Sequence, residues 1–277
     1  MSRIQNILDK AEREGTVPRF RSLHEQPTTA GATAVAPVML DTPAPLAPPA
    51  AEVGAPTAAP PMRMISGARL HPSLIAAMSP SGVAAEQYRA LRTRIVHRDS
   101  GGPVNVVLVT SPGARDGKSL TVANLGLAMA QEYQQRVCVV DADFRSPQQH
   151  RLFGLPDAPG LSDVLTGRAT LDEALVVLEE HHLSVLAAGT RSAHPAELFG
   201  TTVMRRTLEA LRSRFDRIVI DSPAANPLAD VGILTPLVDS VVLIVRAGVT
   251  SKPAIHDAIA ALDAGKLLGI VLNEAAA

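Results

Sequence analysis

Residues 104–120 read "VNVVLVTSPGARDGKSL". The opening "VNVVLVT" is an apolar, β-branched run that suits a buried strand, and "GKSLTVANLGLAMAQEY" reads as a helix opening at Lys118. Leu120, Ala123, Leu125, Leu127 and Ala128 are available to pack that helix. A turn between a strand end and a helix N-terminus offers unpaired N–H groups and the positive end of the helix dipole to phosphate. Gly117-Lys118-Ser119 closes the pattern G-x-x-x-x-G-K-[ST], in which the lysine reaches the outer phosphates and the hydroxyl ligates Mg²⁺. The first glycine of that pattern is replaced by Pro112. A lone Gly-Lys-Ser also occurs on surface turns; the strand–turn–helix setting is what argues for a nucleotide site.

Outward from this stretch, apolar runs alternate with helical patterns. The strand expectations are 104–110, 136–141, 183–187, 217–221, 240–245 and 268–272. Helices are expected over 118–132, 195–214 and 252–262, with a further one in "GVAAEQYRALRTRIVHR". Continuously apolar strands separated by helices predict an α/β fold, a mostly parallel sheet covered by helices on both faces. Two strands end in acid: "VCVVDADFR" places Asp141 and Asp143 around Ala142, and "RIVIDSP" places Asp221 before Ser222. Ligands of open α/β sheets bind at the carboxyl ends of strands. Mg²⁺ takes only one or two protein oxygens beside its waters, so carboxylates at strand ends next to a phosphate loop suit it.

Upstream, the chain changes character. "SRIQNILDKAEREG" puts Ile4, Ile7, Leu8 and Ala11 on one helical stripe with Gly15 as a stop. It reads either as a marginal helix or as a docking helix that folds against a partner. Residues 16–67 form an Ala/Pro-rich linker expected to be disordered, which leaves 68–277 as the catalytic-type domain. The formal net charge is -1, with 26 Lys plus Arg against 27 Asp plus Glu, so no global positive field attracts nucleic acid. Aromatic residues amount to 3%, without Trp, too few for base-stacking platforms. The single cysteine, Cys138, excludes an internal disulfide. No apolar run approaches the ~20 residues of a membrane helix, and no signal peptide is visible; the expectation is a cytoplasmic protein.

The strand–"GKS", strand–"DADFR" and strand–"DSP" series resembles the Walker A, A′ and B motifs of the bacterial tyrosine kinases of capsule and exopolysaccharide systems. The likeness runs over roughly 80 to 274 and includes "EQYRALRTRI", "FRSPQQHRLFGL", "GLSDVLTG", "LAAGTRSAHPAEL" and "GIVLNE". The opening helix and linker are similar to the free-standing kinases of exopolysaccharide loci. The resemblance implies a P-loop NTPase-type fold, and ATP and Mg²⁺ as cofactors. It implies that Gly113, Ala114, Arg115, Asp116, Gly117, Lys118, Ser119 and Leu120 wrap the nucleotide, with Asn273 near the adenine. Ser119, Asp141 and Asp221 would organise Mg²⁺ directly or through water. Asp143 is the implied acceptor of the tyrosine proton, with Lys118 on the phosphates and Arg145 orienting the loop. Glu86, Arg89 and Arg92 form an E-x-x-R-x-x-R ladder, which reads as ordinary salt bridging within a helix or, by resemblance, as a subunit contact.

The family commonly carries a C-terminal tyrosine cluster, whereas this sequence closes on "VLNEAAA" and holds only Tyr88 and Tyr133. The expected activity is therefore phosphorylation of tyrosines in trans, with a membrane polysaccharide copolymerase recruiting the chain to the inner face of the membrane. The alternative is a partition-type or regulatory P-loop ATPase without kinase output. Against the partition type stands Gly113, where those ATPases usually carry a lysine.

Overall fold

Runs of Val, Ile and Leu bounded by polar turns build the sheet, because side chains buried on both faces leave no place for alternation. The computed structural model describes residues 63–97, 104–132, 134–192, 194–225 and 230–274. The expected N-terminal helix at 1–15 and the expected linker as far as 62 lie outside the described residues.

The strands are β1 (Arg63–Ile65), β2 (Val106–Thr110), β3 (Val137–Asp141), β4 (Leu175–Leu178), β5 (Leu183–Leu186), β6 (Arg217–Asp221), β7 (Ser240–Arg246) and β8 (Leu267–Asn273). They form one sheet of order β1-β4-β5-β3-β6-β2-β7-β8. From β5 to β8 every neighbouring pair is parallel. β4 runs antiparallel to β5, and β1 runs parallel to β4.

The helices are α1 (Ile75–Met78), α2 (Val83–Val96), α3 (Lys118–Ala130), α4 (Gln149–Leu152), α5 (Leu161–Leu165), α6 (Leu171–Ala174), α7 (Pro195–Phe199), α8 (Thr202–Arg214), α9 (Asp230–Leu234) and α10 (Lys252–Ala260). α3 covers one face: Val122, Leu125 and Met129 join a cluster with Val107, Val109, Val139 and Val219. Gly126 lets this helix lie close, since a Cβ there would stand 2.4 Å from Val139 Cγ2. The opposite face holds Val106, Leu108, Cys138 and Ile220 against Met204, Leu208 and Leu211 of α8. Each such side chain taken fully from water is worth about 1.5–3 kcal/mol.

Three sequence expectations are corrected. The expected linker reaches residue 67, but β1 already pairs Arg63–Ile65 with β4. β4 had no counterpart in the sequence reading; it turns back onto β5 through a 3₁₀ turn at Glu179–His181, with His182 in the left-handed region at φ 50°. The single helix expected over 195–214 is two, because the Thr201 hydroxyl accepts from Met204 N and starts α8 afresh after Gly200. Among the described residues no helix is long and apolar enough to cross a membrane.

The topology gathers the acidic strand ends. β6 lies between β3 and β2, with Asp221 opposite Asp141 on one side and Val109 on the other. The loop leaving β2 therefore starts beside two carboxylates.

Candidate active site

The loop after β2 is fastened at several points. Thr110 Oγ1 donates to Pro223 O at 2.8 Å, and Ser111 Oγ donates to Gly113 O at 2.6 Å. Gly113 N donates to Asp116 Oδ2 at 2.8 Å, closing the front of the turn. These bonds are made by its neighbours, so Pro112, which has no N–H to offer, is accommodated. Asp116 is buried; its other oxygen accepts from Thr250 Oγ1 at 2.9 Å, and its carbonyl accepts from Asn273 Nδ2 at 3.0 Å. Gly117 has φ 96°, and a Cβ there would lie 2.1 Å from Asn273 Nδ2, so this position requires glycine on two grounds. Arg115 takes φ 67° without being glycine, a conformation costing an L-residue roughly 1–2 kcal/mol. α3 then begins at Lys118 with no side-chain cap and no acid in its first turn, leaving its N–H groups for an anion.

Lys118 Nζ lies 2.7 Å from Asp143 Oδ2 and 3.3 Å from Ser119 Oγ. Burial opposes its charge, but Asp221, Asp143 and Asp141 outweigh burial and raise its pKa. Asp143 Oδ1 accepts from Ser146 N at 2.9 Å. Asp141 uses both oxygens on backbone donors: Oδ1 takes Asp143 N at 3.1 Å, and Oδ2 takes Gln148 N at 3.0 Å and Gln149 N at 2.9 Å. Burial and then the neighbouring Asp221 push the Asp141 carboxyl well above its ordinary range. Burial is also the main cause that lifts Asp221 to about 6, opposed by Lys118 and by hydrogen bonds from Gln149 and Ser119.

Asp221 Oδ1 is buried and accepts nothing. An orphaned, buried carboxylate oxygen beside a hydroxyl and a second carboxylate fits a hard cation. Among the described residues no three His, Cys, Asp or Glu side chains converge as a metal cage. A carboxylate oxygen beside a hydroxyl suits Mg²⁺, which keeps water and phosphate ligands. Asp221 and Ser119 are the residues able to hold it directly, and Asp141, with both oxygens engaged, suits a water-mediated role.

A cavity of about 480 Å³ opens over this loop, lined by His71, Ser73, Arg115, Lys118, Ser119 and Gln148 among others. A larger one of about 940 Å³ lies at the opposite strand ends, near Arg136, Ser184 and Arg214. It contains none of the phosphate-loop groups, so chemistry and not volume marks the site.

The remaining expected residues fall as follows. Arg145 Nε donates to Asp230 Oδ2 at 2.8 Å, anchoring the loop after β3 to α9. Asn273 lies against the phosphate loop with its amide donor already engaged by Asp116. On α2, Arg89 is paired with Glu86 and donates to Pro80 O at 2.7 Å, while Arg92 reaches Ala128 O at 2.8 Å. All these contacts lie within one chain. Tyr88 is half-buried, its phenol pKa raised by burial and its hydroxyl bonded to Thr121; Tyr133 lies outside the described residues. Sequence reasoning missed Gln149, which sits inside "SPQQH" and reads there as an exposed turn residue.

No protein-family model matches the chain. The tyrosine-protein kinase YwqD of Bacillus subtilis is 33% identical over 214 residues, covering 76% of this chain and 90% of the relative. The chain belongs to the bacterial tyrosine-protein kinase family. A putative tyrosine-protein kinase of this family, CapB of Staphylococcus aureus, is 30% identical over 70% of the chain and 86% of its own length. Among solved structures, the chimerical protein CapA2B2 superposes with a TM-score of 0.71 at 29% identity, covering 78% of this chain and 94% of that one.

Proposed function

We propose that this chain is an ATP-dependent protein-tyrosine kinase that acts in trans in exopolysaccharide or capsule assembly. The observation that carries the reading is the 2.7 Å pair of Lys118 Nζ and Asp143 Oδ2 at the mouth of the phosphate loop, with Asp141 and Asp221 behind it. Phosphoryl transfer depends mainly on positioning and on neutralising charge, and this cluster supplies both. The α3 N-terminus and the loop amides receive the phosphates. Ser119 and Asp221 would hold Mg²⁺, with Asp141 through water, and the ion would supply neutralising charge to the outer phosphates.

Lys118 has two calls on its charge. In the structure it neutralises Asp143; turned toward the outer phosphates, it releases Asp143 Oδ2. Asp143 then accepts the proton of a tyrosine hydroxyl as the tyrosine oxygen bonds the terminal phosphorus. The bond from that phosphorus to the bridging oxygen breaks, and ADP leaves with the electron pair. Arg145, fixed to Asp230, keeps the loop bearing Asp143 in place. A membrane polysaccharide copolymerase as recruiting partner, a homo-oligomer as the working state and Asn273 beside the adenine belong to the same reading through family resemblance.

The test is incubation with Mg²⁺ and γ-labelled ATP, with and without the copolymerase's cytoplasmic segment. Lys118→Ala and Asp143→Asn are run beside the wild type. Label on tyrosine that both substitutions reduce by about 10²-fold or more supports the kinase. Phosphate release without labelled protein overturns it in favour of an ATPase switch.

A further inference from the structure

Gln149 is fully buried, at 0% exposure, on the short helix that follows the loop after β3. Its Nε2 donates to two acceptors at once: Ser119 O at 3.0 Å and Asp221 Oδ2 at 2.9 Å. Its own backbone N donates to Asp141 Oδ2 at 2.9 Å. One residue thus ties together α3, the end of β6 and the end of β3. The amide has one sensible orientation, because a half-turn would set Oε1 against two acceptors. Oε1 is left buried without a donor. A buried polar atom left unmatched costs about 1–3 kcal/mol; Leu or Met would remove the orphaned Oε1 but would take from the buried Asp221 Oδ2 its side-chain donor. Packing alone does not account for an amide here.

What the amide does is make the Asp221 carboxylate asymmetric. Oδ2 is held by Gln149, while Oδ1 is buried and accepts nothing. The same amide holds the carbonyl of Ser119, so one side chain fixes both Ser119 and Asp221. We infer that Gln149 is a positioning residue for divalent-cation binding, fixing Asp221 through Oδ2 so that Oδ1 and the Ser119 hydroxyl stay presented together as ligands. The inference rests on the nucleotide-site reading above and adds the residue that orients its metal ligands. Partners standing behind metal ligands are worth about 10–100-fold in metal affinity.

The test uses the full chain with a fluorescent ADP analogue, titrated with MgCl₂ and separately measured in EDTA. Gln149→Met matches length and volume without the amide; Gln149→Asn keeps an amide that falls one methylene short of its acceptors. The Met variant is expected to raise the Mg²⁺ midpoint by about 10–100-fold, the Asn variant by less, with ADP affinity in EDTA unchanged for both. If the Met variant fails to fold by circular dichroism, the Asn variant carries the test, since it keeps a polar side chain in the pocket while losing the reach to Asp221 Oδ2. An unshifted Mg²⁺ midpoint, or equal weakening with and without Mg²⁺, overturns the inference and leaves Gln149 a purely structural residue. Wild-type protein that binds no ADP at any Mg²⁺ concentration overturns the nucleotide-site reading itself, a distinct outcome.

Discussion

Asp221 sits at 0% exposure with a pKa lifted to about 6, chiefly by burial. An unfolded aspartate titrates near 3.9, so between the two values the folded state holds a proton that the unfolded state has released. Stability from this group therefore falls as pH rises from about 4 to about 6, and the penalty is complete above that window. Asp141 is displaced in the same direction. Asp221→Asn is expected to raise the Tm of the nucleotide-free protein at pH 7.5 by a few degrees, about 2–4 °C per kcal/mol for a domain of this size. The gain should vanish near pH 4, as followed by thermal unfolding across pH, and the same substitution should abolish Mg²⁺-dependent nucleotide binding. A Tm gain that stays constant with pH would show that the carboxylate's charge is not the cause. The phosphate loop holds a second local cost in Arg115, whose left-handed backbone is enforced by the bonds on either side of it, at Gly113, Asp116 and Asn273.

Single elements explain the features that local sequence leaves open. α8 starts where it does because Thr201 caps it, a contact that periodicity across 195–214 does not reveal. The ladder on α2 is spoken for within the chain: Glu86 with Arg89, and Arg92 on the last turn of α3. A subunit contact built on it would have to share these groups. On the subunit-contact reading, alanine at Glu86, Arg89 and Arg92 together is expected to lower the mass by light scattering to that of a monomer, and a mass unchanged from a wild-type oligomer would remove that reading. The same change deprives Ala128 O of its donor, worth about 1 kcal/mol, so a Tm lower by about 2–4 °C should accompany it.

Across the whole molecule, the sheet order sets β8 at one edge and still brings its last residue to the phosphate loop. Thr250→Val and Asn273→Ala each remove one fastening of Asp116 without touching Lys118, Asp141, Asp143 or Asp221. Each is expected to weaken ADP binding by about 5–30-fold, the effect of one to two kcal/mol, measured by calorimetry. Unchanged affinity would mean that the loop keeps its shape unaided. The parts of this arrangement legible in the sequence were those encoded locally: apolar runs for six strands, Gly-Lys-Ser for the turn, and aspartates at strand ends. β1, β4 and Gln149 escaped because each acquires its role from residues far away in sequence, such as Val176 for Arg63 and Asp221 for Gln149. The fastenings of Asp116 span 134 and 157 positions of sequence. Contacts of that separation form only after long loops close, late in folding. A chain emerging from the ribosome therefore carries its Gly-Lys-Ser well before Thr250 and Asn273 have been added to fasten that turn.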